Sequence, residues 1–383
     1  MFNLFGSQSS TESLWRRQDW VLTAATLALS TLGVILVWAA TRPRQIAGGG
    51  DPNSYLKKQL IFLAISIILA VLVSRAKYPL LRAYTPILYV AGVIGLVFVL
   101  IPGVGRETNG IQAWIPLPGG FTLQPSEFAK LAIVIAMALV LSETATRKSD
   151  PGTREVFSAL LVAGVPAGLI MLQPDLGTTL VIGVTALGLL SVSGASARWL
   201  LGLGGGAIAA AVAVMAVPGL LEQYQKERLT VFLDPTLDPL GSGYNLIQVK
   251  LAIGSGGLFG TGLFNGPQTN GRFVPEQEAD FIYSAAGEEL GFVGGAFIII
   301  MLFVVVWRAL RIASQAQDRF GRIAATGVAC WISFQAFENI GMNLGIMPAT
   351  GVPLPFISAG GSSLFALWMA IGLLQNIKMK ITD

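Results

Sequence analysis

The 383-residue chain is 53% hydrophobic and only 12% charged, about half the charged fraction of an ordinary soluble domain, which excludes water as its main solvent. Its net charge of +4 is small for the length, and no run of Lys or Arg marks a nucleic-acid surface. Histidine is absent and Cys330 is the only cysteine, so disulfides, haem, structural zinc and any nucleophile–histidine pair are excluded. Chemistry must rest on carboxylates, Lys, Arg and hydroxyls, or on an oxygen-ligated divalent cation.

Apolar stretches at 20–40, 60–74, 84–101, 126–142, 158–173, 177–194, 199–217, 283–307, 324–342 and 362–377 predict an all-α polytopic membrane protein of about ten transmembrane helices, built as one domain over 1–383. No cleavable leader is expected, because the first apolar run follows a polar start ending in Arg16 and Arg17 and lacks a small-residue cleavage site. Residues 1–19 then form a cytoplasmic N-terminal segment and the run is an anchor.

Ten spans put both termini on one side. Of the 25 Lys and Arg, 15 fall on the face of the termini, from Arg16 and Arg17 through Arg147, Lys148 and Arg308 to Lys380. Nine fall on the other, including Arg42, Arg44, Lys57, Lys58, Arg106, Lys226 and Arg228, and Lys130 lies within a span. The richer face also has the shorter loops, which assigns it to the cytoplasm. Long segments at 41–59, 102–125 and especially 218–282 then lie outside. No repeat or coiled-coil heptad appears, and Gly202, Gly204, Gly205 and Gly206 within a span suggest close helix packing.

The first chemical motif is Gln124-Pro125-Ser126-Glu127-Phe128-Ala129-Lys130 at the head of the fourth span. Its carboxylate and ammonium are three residues apart and share a helix face, as a structural ion pair or as reacting groups. Between the fifth and sixth spans, Gln173-Pro174-Asp175-Leu176-Gly177-Thr178 sets Asp175 at a helix junction, either to cap the sixth helix or to stand beside a substrate or cation.

Within the large loop lie Asp234-Pro235 and Asp238-Pro239 turns, an amphipathic stretch from Tyr244 to Ile253 suited to the membrane surface, and a glycine-rich run from Gly254 to Gly260. That run lacks a P-loop's Lys-Ser/Thr ending and reads as tight turns rather than a diphosphate cradle. Glu276, Glu278, Asp280, Glu288 and Glu289 then place five carboxylates in fourteen residues. A solvated loop accounts for Glu276 and Glu278, but less well for Asp280, flanked by Ala279, Phe281 and Ile282. Finally, the Pro- and Gly-rich segment from Asn339 to Ser363 forbids a continuous helix. Irregular backbone at membrane depth belongs inside protein or beside a water-filled cleft.

In this order, four elements resemble the SEDS family, the RodA/FtsW peptidoglycan glycosyltransferases, over roughly residues 15–380. They are Gln-Pro-Ser-Glu-Phe-Ala-Lys, Gln-Pro-Asp-Leu-Gly-Thr, Pro-Glu-x-x-x-Asp-Phe-Ile and Pro-x-Thr-Gly-x-x-Leu-Pro-Phe-x-Ser. The resemblance implies transfer of the disaccharide-pentapeptide of lipid II, with undecaprenyl diphosphate leaving. It also implies a class B penicillin-binding protein as cross-linking partner, alongside other elongation-complex membrane proteins and membrane lipids. Asp280 would be the catalytic aspartate. Glu127 with Lys130, Asp175, Glu276, Ser358 and Lys58, the basic residue before Gln59, would support the site or bind substrate.

Three departures stand out: Glu278-Ala279 where the family commonly has His-Thr, Ala359 where it has Tyr, and Ala113 where a basic residue usually precedes Trp114. The last leaves Arg106 or Lys58 to offset the diphosphate, with a divalent cation (Mg or Mn) as a further means. Gly262 to Thr269 looks more like RodA than FtsW, which favours cell elongation and rod shape over division. A lipid II flippase, an FtsW-type division enzyme and a scaffold that recruits a transpeptidase are the rival readings.

Overall fold

The structure is a computed structural model, and it describes residues 17–108, 111–118, 121–143, 151–216, 232, 234 and 242–381. Arg16, Arg147, Lys148, Val217, Lys226, Arg228, Pro235, Asp238 and Pro239, and most of the segment at 1–19, lie outside the described residues.

Ten helices occupy the ten expected spans: α1 (Trp20–Ala47), α2 (Ser54–Arg75), α3 (Tyr78–Leu100), α4 (Pro125–Glu143), α5 (Thr153–Met171), α6 (Leu176–Val192), α7 (Ala197–Ala216), and, after two short helices α8 (Ser242–Ser255) and α9 (Pro267–Gly271), α10 (Ile282–Gln315), α11 (Arg319–Leu344) and α12 (Gly361–Ile381). Among the described residues, α1 to α5, α10 and α12 are long and apolar enough to cross a membrane by length and composition. With 17 residues α6 is shorter, and α11 carries a buried polar stripe of Gln335, Glu338, Asn339 and Asn343.

α4, α11 and α12 bury most of their surface. By contrast, α3 and α10 turn Ile87, Val90, Ile94, Phe292, Ile300 and Phe303 outward, as expected of helices facing hydrocarbon rather than water. Near the termini, Asp19 caps α1 by accepting from Leu22 N at 3.0 Å, pairs with Arg308, and its own N–H donates to Gln375 Oε1 at 2.8 Å. The start of α1 and the end of α12 are thereby joined.

Four expectations change. The 102–125 segment, expected only as a long loop in an all-α chain, forms a three-stranded antiparallel sheet of β1 (Arg106–Thr108), β2 (Ile111–Leu117) and β3 (Phe121–Leu123) in the order β1-β2-β3. The period-two alternation of Ile111, Ala113, Ile115 and Leu117 is the strand signal, short enough to pass for loop. Second, α2 starts at Ser54 and not near 60, so Lys57 and Lys58 stand on helix. Hydropathy alone overlooks a polar first turn.

Third, α8 does not lie free on a membrane surface. It packs on α10 and α11 and buries Val249 beside Val274, Phe281 and Met342. Fourth, among the described residues a methyl on Gly202, Gly204, Gly205 or Gly206 would meet nothing within 4 Å, so none of them packs α7 through these glycines. Close crossings run instead through Gly372, where a methyl would sit 2.5 Å from Ala70 O, and Gly188, 2.3 Å from Cys330 Sγ.

The run from Gly254 to Gly260 makes tight turns as expected and uses them to dock. α10 breaks at Gly291 (φ 68°, ψ −164°), and loop backbone fills the gap: Thr261 N and Gly262 N donate to Glu288 O and Glu289 O, both at 3.0 Å, and Phe292 N donates to Gly257 O at 2.9 Å. A methyl on Gly260 would lie 2.1 Å from Glu289 O. Glu288, fully buried, ties down the next stretch by accepting from Gln268 N at 2.6 Å, Thr269 N at 3.0 Å and Thr269 Oγ1 at 2.6 Å.

Candidate active site

The head of α4 enters a polar interior. Lys130 Nζ lies 2.8 Å from Glu127 Oε1, with both side chains at most 2% exposed. It also donates to Gln335 Oε1 at 2.8 Å and sits 5.3 Å from the Trp331 ring centroid. Trp331 Nε1 donates to the same Gln335 oxygen at 2.7 Å, and Gln335 Nε2 donates to Pro353 O at 2.8 Å. An ammonium buried this deeply is tolerable only because a carboxylate, an amide and an aromatic face replace its water.

Asp175 joins this interior from the α5–α6 turn. Its carboxylate accepts from Thr178 N at 2.9 Å, capping α6, and it is buried. A methyl on Gly177 would lie 2.9 Å from Thr350 Cβ and 3.2 Å from Glu338 Oε1. This close approach brings the head of α6, Glu338 of α11 and the Pro/Gly segment together. That segment does line the interior, as its sequence demanded.

Asp280 stands at the mouth of this polar core, half-buried, where loop becomes α10. Its backbone N–H donates to Glu276 O at 3.0 Å. Its carbonyl accepts from Asn339 Nδ2 at 2.8 Å and Asn343 Nδ2 at 3.2 Å. A methyl on Gly351 (φ 76°) would lie 3.4 Å from Asp280 Oδ2, so the Thr350-Gly351 turn walls the carboxylate. Ser358 Oγ donates to Ala279 O at 2.5 Å and accepts from Leu354 N at 2.8 Å. The Pro/Gly segment and α11 therefore position Asp280 through its main chain.

The remaining expected residues separate. Glu276 is exposed and in the left-handed region (φ 49°), so its backbone shapes the turn before Asp280. Lys58 holds its ammonium 5.6 Å over the Phe121 ring of β3. Arg106 is exposed on β1, paired in register with Trp114, on the sheet and not in the core; Ala113 beside it is fully buried. Among the described residues no group of three or more His, Cys, Asp or Glu side chains is arranged to hold a metal, so no step is assigned to one. Trp331, Gln335 and Glu338 escaped the sequence reading. The spacing of Gln335, Asn339 and Asn343, four residues apart on one face of a membrane helix, was the available signal.

A break-containing membrane bundle, a buried Glu–Lys pair and an aspartate held at its mouth define the class. Residues 19–383 match the FtsW/RodA/SpoVE family, described as cell cycle protein, and the chain belongs to this family. It is 39% identical to stage V sporulation protein E of Bacillus subtilis, covering 94% of this chain and 96% of that one. It is also 39% identical to a probable peptidoglycan glycosyltransferase FtsW of Trichlorobacter lovleyi, at 94% and 92% coverage. Against the peptidoglycan glycosyltransferase MrdB of Escherichia coli K12, identity is 34% at 92% and 90% coverage. A chain of a solved peptidoglycan synthase complex that coordinates polymerization and crosslinking superposes with a TM-score of 0.77 at 30% identity, covering 96% of this chain and 99% of that one.

Proposed function

We infer that the protein is a peptidoglycan glycosyltransferase that polymerises lipid II into β-1,4 glycan at the outer face of the bacterial cytoplasmic membrane. The observation that carries the reading is Asp280, held by its main chain at the junction of external loop and α10, beside the polar core. Making a β-linkage from an α-linked diphosphate donor inverts the anomeric carbon, so one displacement suffices. Asp280 takes the proton of the attacking sugar hydroxyl, the glycosidic bond forms, and undecaprenyl diphosphate leaves. In a chain with no histidine a positioned carboxylate is the natural base.

Lys130 is committed to Glu127 and Gln335 and supports the site from within. Lys58 or Arg106, both at the three-stranded sheet, offsets the charge of the diphosphate in this reading. The partner is a class B penicillin-binding protein, in keeping with the synthase complex to which the chain is similar, and both termini are cytoplasmic. The role in elongation rests on the Gly262–Thr269 sequence; identity alone does not rank the sporulation, division and MrdB relatives that way.

The decisive experiment is reconstitution of the purified protein in vesicles with lipid II. Glycan polymer is expected. Headgroup translocation without polymer would instead indicate a flippase, and neither activity a recruiting scaffold. A reporter fused at residue 240 is expected outside and one at the C terminus inside; an external C terminus overturns the topology.

A further inference from the structure

Three consecutive carbonyls ahead of α10 are all claimed by the Pro/Gly segment and α11. Glu278 O accepts from Ala359 N at 2.8 Å, Ala279 O from Ser358 Oγ at 2.5 Å and Asp280 O from Asn339 Nδ2 at 2.8 Å. A side chain from another helix also reaches this stretch: Arg44, on the last turn of α1, donates to Glu278 Oε1 and forms an ion pair with it. The two are 234 residues apart in sequence. The Glu278 side chain is only 10% exposed, while that of Arg44 remains 43% exposed.

The end of α1 is itself anchored to the large loop. Arg42 lies 5.8 Å from the Trp38 ring centroid and 5.2 Å from that of Phe264, and those rings meet edge to face at 4.7 Å. The Arg44 guanidinium therefore approaches Glu278 from a backbone already docked beside it.

We propose that Arg44 is a positioning residue for Asp280. Through Glu278 it ties the loop that carries the base to α1, in addition to its bonds to α11 and the Pro/Gly segment. It also cancels a second carboxylate two residues from Asp280, which would otherwise repel an anionic diphosphate donor. The inference rests on Asp280 being the base. Its counterpart, Glu278, acts only as the handle: its carboxylate is spent on Arg44, and its carbonyl on Ala359.

The test compares Arg44→Ala, Arg44→Lys, Arg44→Glu and the swap of Arg44→Glu with Glu278→Arg, all in purified full-length protein polymerising lipid II, with thermal unfolding measured in parallel. Arg44→Ala is expected to lower kcat at least about tenfold while KM moves much less, because the loss is one of geometry at the reacting atoms. Arg44→Lys keeps most of the rate, and the swap recovers most of what Arg44→Glu loses at an unchanged unfolding temperature. An Arg44→Ala rate equal to wild type, or a swap no better than Arg44→Glu alone, overturns the proposal. Asp280→Asn run alongside separates the two readings: if it is inactive while the swap fails to rescue, this inference alone falls; if it stays active, both fall.

Discussion

Two charged regions meet at the site and are built in opposite ways. Glu127 and Lys130 spend their side chains on each other and on Gln335 and Trp331, with almost no exposure. Asp280 is secured by its main chain, through its own N–H to Glu276 and its carbonyl from Asn339 and Asn343. A buried ion pair is strong only while both partners remain, because removing one strands a charge in low dielectric. A residue held by its backbone can change its side-chain charge without losing its place. The first arrangement builds a frame and the second sets a half-buried carboxyl at the frame's edge.

The difference sets an order of expected effects. Lys130→Ala should be the most damaging, costing about 3–5 kcal/mol of stability by leaving Glu127 buried and unpaired. Adding Glu127→Ala should cost less than the sum of the single changes, and additive losses in thermal unfolding would dissolve the pairing. Asp280→Asn should leave unfolding temperature and lipid II binding intact while polymerisation falls at least about a hundredfold, roughly 3 kcal/mol of barrier. More than a tenth of the wild-type rate would move the base elsewhere.

Asn339→Ala probes the link between the regions, since its amide bonds both Asp280 O and Val352 O at 2.8 Å. A loss of about 1–3 kcal/mol in stability is expected, with kcat falling while KM holds; an unchanged kcat would mean that α11 does not position the base. Smallest of all, Glu276→Gln should change rate and stability little, because the exposed carboxylate is not what shapes the turn. A tenfold loss of rate there would assign substrate contact to that side chain.

Much of this was legible in the chain itself. Hydrophobic runs located ten spans because hydrocarbon permits only helices that satisfy their own backbone. The Glu127–Lys130 spacing offered a pair on one helix face, and Asp175 before Leu-Gly-Thr offered a cap, each as one of two readings, since both are local. The sheet at Arg106–Leu123 was missed because its strands are short and its pairing is set between segments. α8 looked like a surface helix because amphipathicity does not say whether the apolar face meets lipid or protein.

What the sequence determined alone was the solvent, the ten apolar segments, and the residue types available for catalysis in a chain without histidine. Tertiary structure decided what each of five neighbouring carboxylates meets. Glu278 is answered by Arg44 of α1, Glu288 by the main chain of Gln268 and Thr269, and Asp280 is set beside Gly351 by amides from α11. Those partners are distant in sequence, and a carboxylate's role follows from what surrounds it in space, which local periodicity does not encode.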